Sequence, residues 1–192
     1  MLKRIALLGW GSLLWEKRPD FDDQHHEWLF DGPSLKLEFS RVSKTRLGAL
    51  TLVLDPSHGE LCTAAYSMSK RTDPEDAICD LQCREGTTRK NIGFAFLQGP
   101  KSQSRQEISL EIILAWMRRK RVDVVVWTDL ESNFEEISGR PFNVEAAIKH
   151  VQALHPEAKA KAAEYVWHAP GFVRTPLREA LQAQPWFQSP IG

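Results

Sequence analysis

The chain has 192 residues, of which 42% are hydrophobic and 26% charged, which is typical of a globular protein long enough to bury a substantial core. Its 25 lysines and arginines balance its 25 aspartates and glutamates, so net charge gives no reason to expect binding to nucleic acid or to an anionic membrane. The three cysteines lack Cys-x-x-Cys spacing, which argues against a disulfide scaffold or zinc site and favours a cytoplasmic setting, and we expect a single domain over residues 1–192.

The N-terminus imitates a secretory signal, because Lys3 and Arg4 precede the apolar run "IALLGWGSLLW". The charged and aromatic stretch "EKRPDFDDQHHEW" follows and offers no small-residue cleavage site. No later segment approaches the roughly 20 apolar residues of a membrane span. We therefore expect the run to be kept in a soluble protein, with residues 4–9 as a buried strand that ends at glycine.

Further β segments are predicted before the first helix. The stretch "SLKLEFSRV", residues 34–42, alternates apolar and polar side chains, as a half-exposed strand does. The stretch "GALTLVLDPSHGELCTAAYSM", residues 48–68, contains two β-rich runs around "DPSHG", residues 55–59. A turn with Pro and Gly between two such runs predicts an antiparallel hairpin.

The first predicted helix is "TDPEDAICDLQCRE". Thr72 or Asp73 supplies the N-cap, and proline and two acids in the first turn suit a helix start. The helix should run to about Glu85 and end at Gly86.

Later segments continue the pattern of capped helices. "SRQEISLEIILAWMRRKR" has a Ser104-x-x-Glu107 capping box and a basic last turn. "VDVVVWTDL" predicts a central strand, and "NVEAAIKHVQALH" and "TPLREALQA" predict two more helices, the last capped by Thr175. Because strands come first and helices mostly later, the order indicates an α+β fold rather than a doubly wound parallel sheet.

The first candidate site is the turn Gly9-Trp10-Gly11-Ser12-Leu13, directly after the buried strand. Glycine permits close approach and positive φ angles, so successive backbone N–H groups can point at a carboxylate or an oxyanion. The alternative is a β-bulge or a tight bend at the strand end. Neither G-x-x-x-x-G-K-[ST] nor G-x-G-x-x-G is present, so a phosphate loop is not predicted.

The second candidate is Glu85 in "DLQCREGTT", at a predicted helix end. A carboxylate there faces the negative end of the helix dipole, which favours its protonated form and suits a general acid or base. The alternative is a solvated glutamate beside Arg84.

Other chemical motifs are weak. The histidines do not form H-E-x-x-H, so no metal site is predicted. Cys79 and Cys83, one helical turn apart, are expected to be core residues rather than reactive thiols. The run of residues 118–121 is expected to be a solvated basic helix end.

In order along the chain, "GWGSLLW", "FSRVSKTRLGALTLVLDP", "CTAAYSM" and "LQCREG" resemble the gamma-glutamylcyclotransferase family, most closely its ChaC-like branch, over roughly residues 5–90. The resemblance implies a mixed, partly barrel-like β-sheet with flanking helices. It implies cleavage of a small γ-glutamyl substrate to 5-oxoproline, without metal or cofactor. It also implies that Trp10, Gly11, Ser12 and Leu13 bind substrate and that Glu85 is the catalytic acid/base.

The sequence departs from the family pattern at some positions. Trp10 replaces the family's tyrosine, and Thr63 and Ala64 stand where related chains often have glycine. One alternative keeps the fold as a catalytically silent module that binds a small zwitterion. Another is an interaction protein that uses an exposed aromatic patch in "PWFQSPIG", residues 185–192.

Overall fold

A computed structural model describes residues 3–100 and 102–190 of the protein. The chain divides into two compact units, one formed by Met1–Leu35 and Thr63–Leu130 and the other by Lys36–Cys62 and Glu131–Gly192. The described residues form a mixed α+β structure with two open sheets, neither of which closes into a barrel. The expectation of a single domain stays a prediction.

Seven strands and seven α-helices are formed by the described residues. The strands are β1 (Ile5–Gly9), β2 (Ser34–Val42), β3 (Leu50–Leu54), β4 (Glu60–Thr63), β5 (Ala65–Met68), β6 (Ile92–Phe96) and β7 (Val124–Thr128). The helices are α1 (Pro19–Asp22), α2 (Pro74–Glu85), α3 (Glu107–Lys120), α4 (Phe134–Ser138), α5 (Val144–Ala153), α6 (Pro156–His168) and α7 (Pro176–Gln182). Short 3₁₀ turns occupy Ser12–Leu14 and Arg89–Asn91.

The first unit contains a four-stranded sheet in the order β5-β1-β7-β6. Strand β1 is antiparallel to β5 and parallel to β7, and β6 is antiparallel to β7. All five residues of β1 and the first four of β7 are buried, which explains why both sequences are nearly continuous apolar runs. The predicted strand at residues 4–9 and the predicted central strand are therefore confirmed.

Helix α2 covers this sheet, and its ends are those predicted. Asp73 is the N-cap, and its carboxylate accepts a hydrogen bond from the Glu75 N–H at 3.0 Å. Gly86 ends the helix with a left-handed φ of 57°, a conformation that glycine adopts without steric cost. The core between helix and sheet includes side chains from both: Ile5, Leu7, Ala77, Ile78, Leu81, Val124 and Val126.

The predicted capping box of α3 is wrong. The helix begins at Glu107, after an N-cap at Gln106. The Ser104 hydroxyl bonds locally to the backbone of Gln106, and the Arg105 N–H donates to the buried Asp129 carboxylate at 2.6 Å. These bonds hold Ser104 outside the helix.

The second unit contains a three-stranded sheet in the order β3-β2-β4. The predicted hairpin around residues 55–59 is wrong, because β3 and β4 lie on opposite edges of β2. The antiparallel hairpin is instead β2–β3, with Val42 opposite Leu50. Gly59 belongs to the connection between β3 and β4 and lies so close to β2 that a Cβ would stand 2.8 Å from the Leu37 nitrogen.

The two predicted C-terminal helices are confirmed as α5 and α7. Asn143 caps α5 by accepting from the Ala146 N–H at 2.8 Å, and Thr175 caps α7 by accepting from the Arg178 N–H. Strand β6 and helix α6 are absent from the predicted elements.

The C-terminal aromatic stretch does not form an exposed patch over its described part. Phe187 is only 2% exposed, and its ring packs edge-on against Trp186 at 5.7 Å between centroids. Residues 191–192 of "PWFQSPIG" lie outside the described residues. Among the described helices, none has the length and apolar character needed to cross a membrane.

Strand β2 carries a buried carboxyl group in the second unit. Glu38 is 1% exposed, and its two oxygens accept hydrogen bonds from the Phe39 N–H at 2.7 Å and the Leu177 N–H at 3.4 Å. Burial raises the pKa of Glu38 in spite of these bonds and of one from the Thr175 side chain.

Substituting Gly93→Ala should destabilise the first sheet. A Cβ at Gly93 would lie 2.2 Å from the Trp127 ring, which is fully buried and donates its indole N–H to Asp129. We expect the free energy of unfolding in urea to fall by about 1–3 kcal/mol. Gly171→Ala is the control, because nothing lies within 4 Å of its Cβ, and it should change stability by less than about 0.5 kcal/mol. Equal effects would contradict the packing.

The Glu38→Gln variant should remove one source of the pH dependence of the free energy of unfolding. Because the folded pKa of Glu38 is raised, the unfolded chain releases this proton first, and stability falls as pH rises from the ordinary glutamate pKa towards the raised value. Unfolding in urea across this range should show a smaller decline for Glu38→Gln than for the natural protein. The exposed-site variant Glu157→Gln should keep the full decline, and parallel curves for all three proteins would refute the assignment.

Candidate functional site

The turn after β1 is a short 3₁₀ helix. The Leu14 N–H donates to the Gly11 carbonyl at 3.0 Å, and the Ser12 carbonyl accepts from the N–H groups of Trp15 and Glu16 at 3.3 and 2.8 Å. Gly11 has a φ of −119°, and Gly9 also lacks a positive φ. The prediction of left-handed glycines in this turn is therefore wrong.

Two backbone donors remain in the turn. The N–H groups of Ser12 and Leu13 precede the first N–H that bonds within the turn, and neither makes a hydrogen bond to another described residue. Unpaired N–H groups are a general property of helix starts. The expectation that the turn donates hydrogen bonds to a ligand therefore stays a prediction.

Gly9 is required by packing against the protein itself. A Cβ there would stand 3.0 Å from the Leu14 side chain and from the Trp28 ring. The space that the missing side chain leaves is thus filled by two neighbouring side chains. The expectation that glycine leaves room here for a ligand is therefore wrong at Gly9, where protein side chains occupy that space.

The predicted substrate-binding residues differ in exposure. The side chains of Trp10 and Leu13 are buried, at 5% and 7% exposure, and Leu13 belongs to the core cluster beneath α2. Gly11 is buried and Ser12 is partly exposed. Trp10 and Leu13 therefore anchor the turn, while Ser12 is the accessible member of the set.

Arg84 occupies the buried face of α2, one turn after Leu81. Its Nη2 atom donates to the Ser12 carbonyl at 3.2 Å and to the Glu16 carbonyl at 3.0 Å. Its Nη1 atom lies 3.8 Å from the Oε1 atom of Glu85. One guanidinium group therefore joins the predicted substrate-binding turn to the predicted catalytic carboxylate.

The charge of Arg84 is held in a largely dry environment. The residue is 5% exposed, and burial lowers its pKa, while the neighbouring Glu85 carboxylate acts in the opposite direction. An arginine in this setting remains protonated at neutral pH. Its buried Nε–H has no acceptor among the described residues.

The Glu85 side chain is about one-fifth exposed, at 21%. It is the last residue of α2, and its position follows from the helix ending at Gly86. Arg84 is the residue whose importance the sequence motifs did not indicate. Its signal is its spacing, since Ala77, Leu81 and Arg84 share one face of α2 and a charge on an apolar face must find partners.

A second polar cluster in this unit has the connectivity of a catalytic triad. Nδ1 of the buried His25 lies 3.0 Å from the Ser67 hydroxyl, and Nε2 lies 3.7 Å from the Asp22 carboxylate. Ser67 is fully buried, however, and its hydroxyl donates to the His26 carbonyl at 2.6 Å. This hydroxyl is therefore a structural donor that fixes the segment before β2.

The two cysteines of α2 lie outside the core, whereas the basic residues at the end of α3 are where the sequence predicts them. Cys79 and Cys83 are both exposed, so the expectation that they lie in the core is wrong. They fall on the helix side opposite the buried Ile78 and Leu81. The basic residues 118–120 form the last turn of α3, as predicted.

No protein-family model matches the chain, and no curated protein matches it at a significant level.

Replacing Arg84 by methionine should loosen the turn. The Ser12 and Glu16 carbonyls would lose a charged donor, and we expect a loss of about 1–3 kcal/mol in the free energy of unfolding. Hydrogen exchange should accelerate at the Trp15 and Glu16 amides, which bond to the Ser12 carbonyl.

Arg89→Met provides the matched control, because Arg89 pairs with Glu75 at the surface. It should cost less than about 1 kcal/mol and leave those two amides unchanged. If exchange at Trp15 and Glu16 is the same in both variants, Arg84 does not hold the turn.

Proposed function

We propose that the protein is a γ-glutamyl cyclotransferase, which converts a γ-glutamyl compound to 5-oxoproline and a free amine or peptide. The observation that carries the proposal is the contact set of Arg84, whose guanidinium reaches both the Ser12 carbonyl and the Glu85 carboxylate. The sequence places these two groups more than 70 positions apart. Their meeting at one side chain supports a common site.

The reaction needs few catalytic groups. The α-amine of the substrate attacks its own γ-carbonyl, a five-membered ring closes, and the C–N bond to the leaving amine breaks. Nucleophile and carbonyl belong to one molecule, and well-oriented intramolecular attack is worth effective molarities of about 10⁵ to 10⁸ M. A carboxylate and a few hydrogen-bond donors therefore suffice as protein groups.

Glu85 is assigned the proton transfers. It takes a proton from the α-ammonium group as the amine attacks and returns a proton to the departing nitrogen, a role worth about 10²- to 10⁴-fold in rate. Its partial exposure, 21% of the side chain, supports access to a substrate. No net proton is consumed at the carboxylate over one turnover.

The turn is assigned the developing negative charge. The N–H groups of Ser12 and Leu13 have no partner among the described residues, and such donors stabilise an oxyanion by about 3–4 kcal/mol when they are aimed at it. Arg84 is a positioning residue, since its hydrogen bonds hold the turn at the end of α2. Trp10, in the place of the family's tyrosine, is buried beneath the turn and supplies no phenol to the substrate.

The proposal includes the family's fold. Two features support this assignment. Helix α2 lies across a mixed four-stranded sheet, and the turn Ser12–Leu14 follows β1, the second strand in the order of that sheet. In the family the sheet is partly barrel-like.

Glu85→Gln should abolish most of the activity. The protein would be incubated with a panel of γ-glutamyl peptides and γ-glutamyl amines, and 5-oxoproline would be measured. We expect product from at least one substrate, and a fall of about 10²- to 10⁴-fold in its rate for Glu85→Gln.

Glu75→Gln is the matched control on the same helix. Glu75 lies in the first turn of α2, is exposed, and pairs with Arg89. It should keep the activity of the natural protein. The absence of 5-oxoproline with every substrate, or full activity in Glu85→Gln, would overturn the proposal. Calorimetric binding of a γ-glutamyl compound without turnover would favour the catalytically silent binding module instead.

A further inference from the structure

A cavity of about 290 Å³ lies within the unit formed by Lys36–Cys62 and Glu131–Gly192. It is lined by the turn between β3 and β4 and by the segment around α4. None of these residues belongs to the proposed cyclotransferase site. Ligand binding in this cavity therefore does not depend on that activity.

One wall of the cavity holds an oriented imidazole. Asp55 is 4% exposed, and its carboxylate accepts from the N–H groups of Ser57 and His58 at 3.1 and 2.9 Å. The same carboxylate lies 3.3 Å from Nδ1 of His58, whose side chain is 45% exposed. An ionised carboxylate only accepts, so Nδ1 carries the hydrogen and Nε2 of the neutral ring is an acceptor.

The polar side chains at the base of the cavity are committed to the protein. The Ser132 hydroxyl donates to the Ser40 carbonyl at 2.8 Å. The Asn133 amide makes two bonds to the backbone of Val42, accepting at 2.7 Å and donating at 3.2 Å. These groups hold the cavity's shape and leave it few free donors.

An apolar surface completes the lining. Phe134 and Phe142 meet edge to face with 5.3 Å between centroids, and the His58 ring packs against Phe142 at 5.1 Å. Phe134 is fully buried, and Phe142, at 8% exposure, is the ring that presents surface to the cavity. Such a surface accommodates methylene groups rather than a hydrated ion.

Apart from the exposed Ser57 hydroxyl, the remaining polar lining consists of acceptors. The carboxylates of Glu135 and Glu136 line the cavity and are exposed, and neither side chain makes a hydrogen bond or ion pair with another described residue. No lysine or arginine is present among the described lining residues. The potential in the cavity is therefore negative, which disfavours an anionic ligand.

We propose that this cavity binds a small aliphatic amine in its protonated form, a diamine being the class that fits best. Ammonium groups supply several N–H donors to the Glu135 and Glu136 carboxylates and to Nε2 of His58. The methylene chain between them lies against Phe142, which packs on the buried Phe134. The shape of the cavity, its hydrogen-bond acceptors and its apolar wall all favour such a ligand.

The test compares putrescine with its uncharged diol analogue on the full-length protein, by calorimetry and by NMR of the histidine rings. Putrescine should bind and shift the ring signals of His58 but not those of His168, which is exposed on α6. The diol should bind at least about tenfold more weakly. Absence of putrescine binding, or equal binding of the diol, would overturn the proposal.

Two double variants separate a local site from a net-charge effect. Glu135→Gln with Glu136→Gln should weaken putrescine binding by about tenfold. Glu157→Gln with Glu164→Gln removes the same charge from exposed positions of α6 and should leave binding within about twofold. All four positions are exposed, so both proteins should fold, which unfolding in urea would verify. Equal weakening by the two double variants would refute the cavity as the site.

Discussion

The buried guanidinium of Arg84 is the constraint on which the candidate site depends. A charge at 5% exposure is tolerated only where donors find acceptors, and Arg84 finds them in the Ser12 and Glu16 carbonyls. Those bonds fix the end of α2 against the turn after β1. Glu85 follows Arg84 in the chain, and its carboxylate lies 3.8 Å from that guanidinium, so its position depends on where the arginine is anchored. The geometry of the proposed chemistry is therefore set by a residue with no assigned part in the reaction.

The glycines of the motif turn also have a physical explanation that does not require a ligand. At Gly9 the Trp28 ring and the Leu14 side chain fill the space that a Cβ would need. Burial of Trp10 and Leu13 then fixes the turn from below, and its first N–H groups have no partner among the described residues. A rigid turn with unpaired donors suits a reaction in which substrate tethering lowers most of the barrier. The same turn would also serve a binding module, and only turnover separates the two.

Local chemistry made much of this structure predictable from the sequence. Asp73, Pro74 and Gly86 specify both ends of α2, and the apolar runs of β1 and β7 specify buried strands. The errors come from partners distant in the chain: Asp129 holds the backbone at Arg105 and moves the start of α3, and β2 inserts between β3 and β4. The candidate residues Ser12 and Glu85 could be named from their motif, but the contact that joins them could not. The contact through Arg84 depends on which face of α2 is buried. In the sequence, the local sign of that face is the spacing of Ala77, Leu81 and Arg84.

The most direct test of the central claim is a product analysis in water labelled with oxygen-18. If the substrate's own amine closes the ring at the site of Ser12 and Glu85, the product is 5-oxoproline without the label, because no water oxygen enters the ring. Labelled glutamate as the product would show hydrolysis by water, and would contradict the account even if the γ-glutamyl bond were cleaved. No cleavage at all would contradict it equally.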